Sequence, residues 1–107
     1  MGELKFGDII LLSFPFTDGL SYKKRPALVI RDSQDGDIIV CRITSKLYSS
    51  SFDINLKNWE KYGLRLPSVV RIHKIASLEK ELANLKIGHL DRIVQNQIKR
   101  AFKGLIE

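Results

Sequence analysis

Residues 7–76 are broken into short apolar runs rich in β-branched residues, each stopped by turn punctuation before it reaches the length of an ordinary helix. GDIILLSF (7–14) opens on a Gly-Asp turn signal and ends at Pro15; PALVIR (26–31) starts on a proline. The turn sequence DSQDGD precedes IIVCRIT (38–44), a weaker run FDINL covers 52–56, and SVVRIHKIA (68–76) is the last of the series. Runs of this size and composition between Gly, Pro and Asp read as β-strands. Such a chain must fold as a small, strongly bent sheet or barrel.

After residue 76 the period changes. Ser77 is a suitable N-cap, Glu79 and Glu81 suit a first helical turn, and Gly88 suits a helix end, so the spacing predicts a helix between them. Beyond Leu90, the residues Ile93, Val94, Ile98, Ala101, Phe102 and Leu105 recur at helical spacing and predict an amphipathic final helix. The fold class is α+β, mostly β, with helices packed on one side of the sheet. With no repeat, linker or low-complexity segment, residues 1–107 read as one domain. A chain of this length buries roughly two-thirds of its unfolded surface, enough for a core without staples.

Composition narrows the function classes. The lone cysteine, Cys41, excludes an internal disulfide and, inside an apolar strand, reads as a small buried hydrophobe. With two histidines and no ligand spacing among them, neither a metal nor another cofactor is expected. His73 and His89 read as structural residues. No signal-peptide pattern or membrane span is recognisable, and a cytoplasmic protein without membrane contact is expected. The net charge of +6 makes polyanions the first-guess partners.

The placement of that charge says more than its sum. Lys23, Lys24 and Arg25 follow Tyr22 and stand immediately before Pro26 and a buried strand. Thr44, Ser45 and Lys46 end the third strand, with Tyr48 in the loop beyond. Alternation puts Ile39, Cys41 and Ile43 on one face of that strand and Arg42 and Thr44 on the other. If DSQDGD joins strands two and three as an antiparallel pair, Arg25 and Pro26 come near Thr44 and Ser45. Ser68 and Arg71 open a strand that can join the same sheet. A guanidinium beside a hydroxyl pair suits a phosphodiester: the fork of donors holds two phosphate oxygens, and a tyrosine can stack on an unpaired base. The same residues also fit a solvated basic loop beside an ordinary Thr-Ser turn.

Five segments in order, GDIILLSFPFTD, KKRPALVI, CRITSK, SVVRIHKIASLEK and KIGHLD, resemble the MazF/PemK family of toxin–antitoxin endoribonucleases, from Gly7 to about the last helix. The resemblance implies an SH3-like small barrel with C-terminal helices, a homodimer, and a cognate antitoxin whose acidic segment covers the RNA groove. DNA is then reached only through the antitoxin. It implies metal-independent, cofactor-free cleavage of single-stranded RNA by attack of the ribose 2′-OH on the adjacent phosphate. Carried over by motif, the catalytic Arg of the RP pair falls on Arg25 and the hydroxyl of the IT pair on Thr44. Tyr22, Lys23, Lys24, Ser45, Lys46 and Ser68 are the expected substrate contacts.

The sequence departs from the family pattern in three places. TDGLSYKKRP lacks the Gln- and Gly-rich character usual between the first two strands, Lys46 stands where Gln is common, and His73 where a charged or acidic residue is common. These positions lie on loops expected to read bases, so cleavage specificity does not transfer. Two alternatives remain beside the nuclease: a toxin of the same fold, as in the CcdB branch, that acts on a topoisomerase such as DNA gyrase, and a barrel that binds nucleic acid without cutting it.

Overall fold

A computed structural model describes residues 2–15 and 22–107, with the side chains of Phe14, Pro15 and Tyr22 left aside. Six strands form one antiparallel sheet: β1 (Asp8–Pro15), β2 (Tyr22–Asp32), β3 (Asp37–Thr44), β4 (Asp53–Leu56), β5 (Ser68–Glu79) and β6 (Ala83–His89), in the order β4-β5-β3-β2-β1-β6. One α-helix, α1 (Arg92–Ile106), follows, and short 3₁₀ turns span Trp59–Tyr62 and Lys80–Leu82. The mostly-β class and five expected strands are present. Among the described residues β4 and β6 remain the sheet's two edges, so the sheet curls without closing by hydrogen bonds.

Bending arises from interrupted register. Bulges interrupt the β1–β6, β2–β3 and β3–β5 ladders, and each adds local twist. Alternate residues of the central strands then feed two cores. Ile9, Leu28, Cys41, Ile43, Val70 and Ile72 face α1, whose Ile98 is buried among them with Val94, Ala101, Phe102 and Leu105 alongside. Ile10, Leu12, Ala27, Val29, Ile38 and Val40 form the second core, closed by Leu4 and by Leu82 and Ala83. Ile93, expected on the helix's apolar stripe, lies to its side and is 75% exposed.

The helix expected between Ser77 and Gly88 does not form. Ser77 continues β5 opposite Ile39, and after one 3₁₀ turn the chain runs as β6 along β1. Tertiary pairing overrides local propensity here: a helix would leave the outer edge of β1 without a partner. Gly88 has a different purpose from a helix cap. A Cβ there would collide with the Tyr62 carbonyl, while Gly63, at φ 78°, meets the Ile87 carbonyl in the same way. The two glycines let the 3₁₀ turn and β6 touch backbone to backbone.

Carboxylates tie the ends of the chain to this frame. Asp32, 2% exposed at its side chain, accepts the Leu4 N–H at 3.0 Å, the Gln34 N–H at 3.1 Å and the Lys80 ammonium at 2.6 Å. These bonds, the Leu4 N–H foremost, bring its pKa down to about 2. Asp8 accepts the Lys5 N–H and pairs with Lys86 and His89; burial alone would raise its carboxyl, but these partners outweigh burial and leave it lowered. Gln95 donates toward His89 Nε2 at 3.1 Å and to the Leu90 carbonyl at 2.8 Å, locking α1 to the same clasp. Among the described residues no helix is long and apolar enough to cross a membrane.

Two outcomes follow for stability. Gly88→Ala should lower it by about 1–3 kcal/mol through overpacking against backbone that cannot yield, measurable by urea unfolding. Because Asp32 titrates near 2 when folded and near 3.8 otherwise, its contribution is complete above the higher value and disappears as pH falls through the lower one. Thermal melting across pH 7 to about 2 should therefore show a decline in the wild type that is shallower in Asp32→Asn.

Candidate active site

The β2–β3 ladder fixes the site. Its last pairs are Leu28 with Cys41 and Ala27 with Arg42, as expected from the DSQDGD turn. Arg25 lies two residues beyond that end on β2, and Thr44 lies two residues beyond it on β3. Cross-strand partners share a face, and alternate residues share it too. Arg25 therefore ends the row that begins with Val29 and Ala27, while Arg42 and Thr44 end the row that begins with Ile38 and Val40. Both rows belong to the second core. Arg25, opposite the buried Leu12, is exposed where that core runs out. Lys24, opposite Ser13, faces the other way.

Thr44 is held by the turn that follows it. Its Oγ1 accepts the Lys46 N–H at 3.2 Å, which leaves the hydroxyl proton available to an outside acceptor. Ser45 and Lys46 are exposed beside it, as are Lys23 and Lys24 on β2. Ser68, two residues from the Thr44–Val69 pair's next neighbour Val70, shares this end of the sheet but is only 4% exposed. Its hydroxyl donates to the Leu66 carbonyl at 2.8 Å. The Tyr22 side chain, expected to stack on a base, lies outside the described residues.

Neighbouring β5 contributes a third guanidinium beside those of Arg25 and Arg42. Arg71 sits directly opposite Arg42 on β3 and opposite Asp53 on β4. It donates to Asp53 Oδ1 at 2.9 Å, with side-chain exposures of 12% for Arg71 and 1% for Asp53. Ser50 adds a hydroxyl at 2.6 Å and a backbone N–H at 2.9 Å to Asp53 Oδ2. Burial pushes the Asp53 carboxyl upward, but the Ser50 and Arg71 bonds overcome it and hold the group below the usual range. Arg71 also covers Tyr48, its Cζ 3.6 Å from the ring centroid, and the Lys46 ammonium stands 4.9 Å from that centroid. Hydrogen bonding from Lys46, then the charges of Arg71 and Arg42, lower the Tyr48 phenol from its ordinary value.

Cys41, His89 and His73, read from the sequence as structural, have the following surroundings. Cys41 is fully buried, its thiol near the Ile72 carbonyl at 3.5 Å, and burial pushes it up to about 12. His89 belongs to the Asp8 clasp, and the His73 ring lies 4.9 Å from that of Phe52. His73 occupies a bulge: Cys41 pairs with Ile75 and the next residue, Arg42, with Arg71, so Ile72–Lys74 have no β3 partners. Sequence reading missed Asp53, whose pairing with Arg71 depends on a β4–β5 register that no local pattern reveals.

Taken together, this end of the sheet offers three guanidiniums, several ammonium groups and the Thr44 hydroxyl. It suits an extended, repeating anion better than a single small acid. A search of curated protein sequences found no match. Solved structures share the fold. A MazE–MazF complex from Deinococcus radiodurans superposes with a TM-score of 0.81 at 20% identity, covering 99% of this chain and 97% of that one. A MazF structure from the same organism gives 0.75 at 20% identity, over 99% and 98%. A mycobacterial endoribonuclease in complex with its cognate antitoxin gives 0.73 at 16% identity, over 94% and 91%. At the sequence level, the pattern describing PemK-like, MazF-like toxins of type II toxin–antitoxin systems matches residues 5–106. The chain belongs to that family.

Proposed function

We infer that the protein is the toxin of a type II toxin–antitoxin pair, a single-domain endoribonuclease that cuts single-stranded mRNA and so inhibits growth. The observation carrying this reading is that Arg25 and Thr44 belong to rows on one face of the sheet, each two residues past the last β2–β3 pair. Family membership and the endoribonuclease among its structural relatives support it.

The chemistry follows from the groups present. The ribose 2′-oxygen attacks the adjacent phosphorus as its proton leaves to a base, and the bond from phosphorus to the 5′-oxygen breaks. The products are a 2′,3′-cyclic phosphate and a 5′-hydroxyl, whose proton completes the balance. Because nucleophile and phosphate belong to the same nucleotide, positioning supplies much of the rate and no metal-bound water is needed as nucleophile. Arg25 spans two phosphate oxygens and neutralises the charge that grows on them in the transition state. Thr44 donates its hydroxyl proton to the same phosphate. Lys23, Lys24 and Lys46 hold neighbouring phosphates without reading sequence, and Ser45 adds a hydroxyl. Ser68 reaches RNA only by releasing the Leu66 carbonyl.

The same exposed cations suit the acidic segment of a cognate antitoxin, and the complexes among the structural relatives support that partner. In this reading the toxin acts as a cytoplasmic homodimer and meets DNA only through the antitoxin.

Mapping the cut ends of a long RNA with wild type and Arg25→Ala tests the reading. Wild type should leave cyclic phosphate ends without added metal, and Arg25→Ala should lose at least roughly 100-fold in kcat, the scale of one oxyanion-stabilising donor. Arg25→Lys should be nearly as damaging, since an ammonium cannot span two oxygens. Equal inertness of wild type and Arg25→Ala on a broad RNA panel would refute the nuclease. Affinity for uncleaved single strands should fall steeply with salt, by a log–log slope of about −0.7 per phosphate contacted; Lys23→Gln with Lys24→Gln should flatten that slope.

A further inference from the structure

Tyr48 is built more firmly than a loop tyrosine requires. Its loop leaves β3 at Thr44, and one side of the ring is covered by the Arg71 guanidinium 3.6 Å from its centroid. Arg71 is itself fixed, being 12% exposed and bonded to a carboxylate that is 1% exposed. That carboxylate is anchored by Ser50, two residues beyond Tyr48 in the same loop. The loop thus ties itself to β5 through Asp53 and Arg71, and the tyrosine is trapped against the knot. The Lys46 ammonium also stands over the ring, 4.9 Å from its centroid, and the backbone N–H of the same lysine holds Thr44 Oγ1. Orientation of the ring and orientation of the Thr44 hydroxyl are therefore set by one short turn.

We propose that Tyr48 is a stacking platform for one unpaired base of the RNA, seated next to the phosphate that Thr44 holds, with Arg71 as its backing and the Lys46 ammonium turning from the ring to the adjoining phosphate. The proposal rests on the nuclease reading above and names one subsite within it. An aromatic ring backed by a guanidinium loses little freedom when a base settles on it, and stacking tolerates every base because each has a π face. Lys46 meets the phosphate as a point charge, so the subsite orients the strand more than it reads it.

The experiment pairs protein variants with gaps in the RNA. A single-stranded oligonucleotide carrying one cut site is made uncleavable by a 2′-deoxy nucleotide at that site, and abasic positions are introduced one at a time around it. Binding is measured for wild type, Tyr48→Phe and Tyr48→Ala. In the wild type one abasic position should weaken binding roughly tenfold, the scale of one base on an aromatic ring. Tyr48→Ala should weaken binding of the intact strand by a similar factor and make that same abasic position silent. Tyr48→Phe should behave as wild type within about twofold, because the ring is kept.

Cleavage of the all-ribose strand should follow, with Tyr48→Ala raising KM more than it lowers kcat. Tyr48→Ala that binds and discriminates as wild type overturns the platform while leaving the nuclease intact. Tyr48→Phe as damaged as Tyr48→Ala overturns it too, and assigns the work to the hydroxyl. A wild type that neither binds nor cuts any strand fails at the earlier step, and both readings fall together.

Discussion

The register between β2 and β3 is the constraint on which the candidate site depends. A shift of one residue would turn Arg25 and Thr44 to opposite faces and would take one strand's residues, Ala27 with Val29 or Ile38 with Val40, out of the second core. Displacing a large aliphatic side chain from its core costs about 1.5–3 kcal/mol where its burial is lost. The hydrophobic pattern of the two strands thus keeps the polar groups beyond their paired ends on one face. The cations at the mouth of β2 are unequal for the same reason. Lys23 and Lys24 are point charges on long stems, whereas Arg25 stands one residue before Pro26, at the place where buried backbone begins.

The second support is the Asp53–Arg71 pair. A buried ion pair contributes little net stability compared with well-packed apolar residues, yet losing one partner costs about 3–5 kcal/mol because the other charge is stranded. Such a pair serves better as a positional device than as a source of stability. It joins edge strand β4 to β5, holds the loop after β3 through Ser50, and presents a guanidinium to Tyr48. Arg71 stands across from Arg42 in one ladder and from Asp53 in the other, just before the bulge that leaves Ile72–Lys74 without β3 partners.

Most of the sheet was legible from residues alone, because period and punctuation agree in GDIILLSF, PALVIR and IIVCRIT. The antiparallel pairing of β2 with β3 was legible too, since DSQDGD favours a tight return. The segment 77–88 was misread because its good helix formers and Glu-rich start speak for local propensity, while its real partners are distant in sequence, β3 for residues 77–79 and β1 for β6. Gly88 shows the same limit: a glycine that suits a helix end also suits a close backbone approach, and only the Tyr62 carbonyl distinguishes them. The Tyr48–Arg71–Asp53 knot was beyond reach, because it requires two registers and a bulge to hold at once.

Like charges on one sheet face argue for an anionic partner from stability alone. Arg42 and Arg71 stand directly across from each other in an antiparallel ladder, an arrangement that is destabilising. Asp53 relieves Arg71, but among the described residues no carboxylate forms an ion pair with Arg42 or Arg25. Elsewhere this chain pairs its buried carboxylates thoroughly, as at Asp8 and Asp32, so the imbalance at the Thr44 end is local. A phosphate chain lowers that repulsion when it binds, and so does an acidic peptide. Both would compete for the same excess of charge, so in the proposed reading the electrostatics that suit RNA also suit an acidic antitoxin.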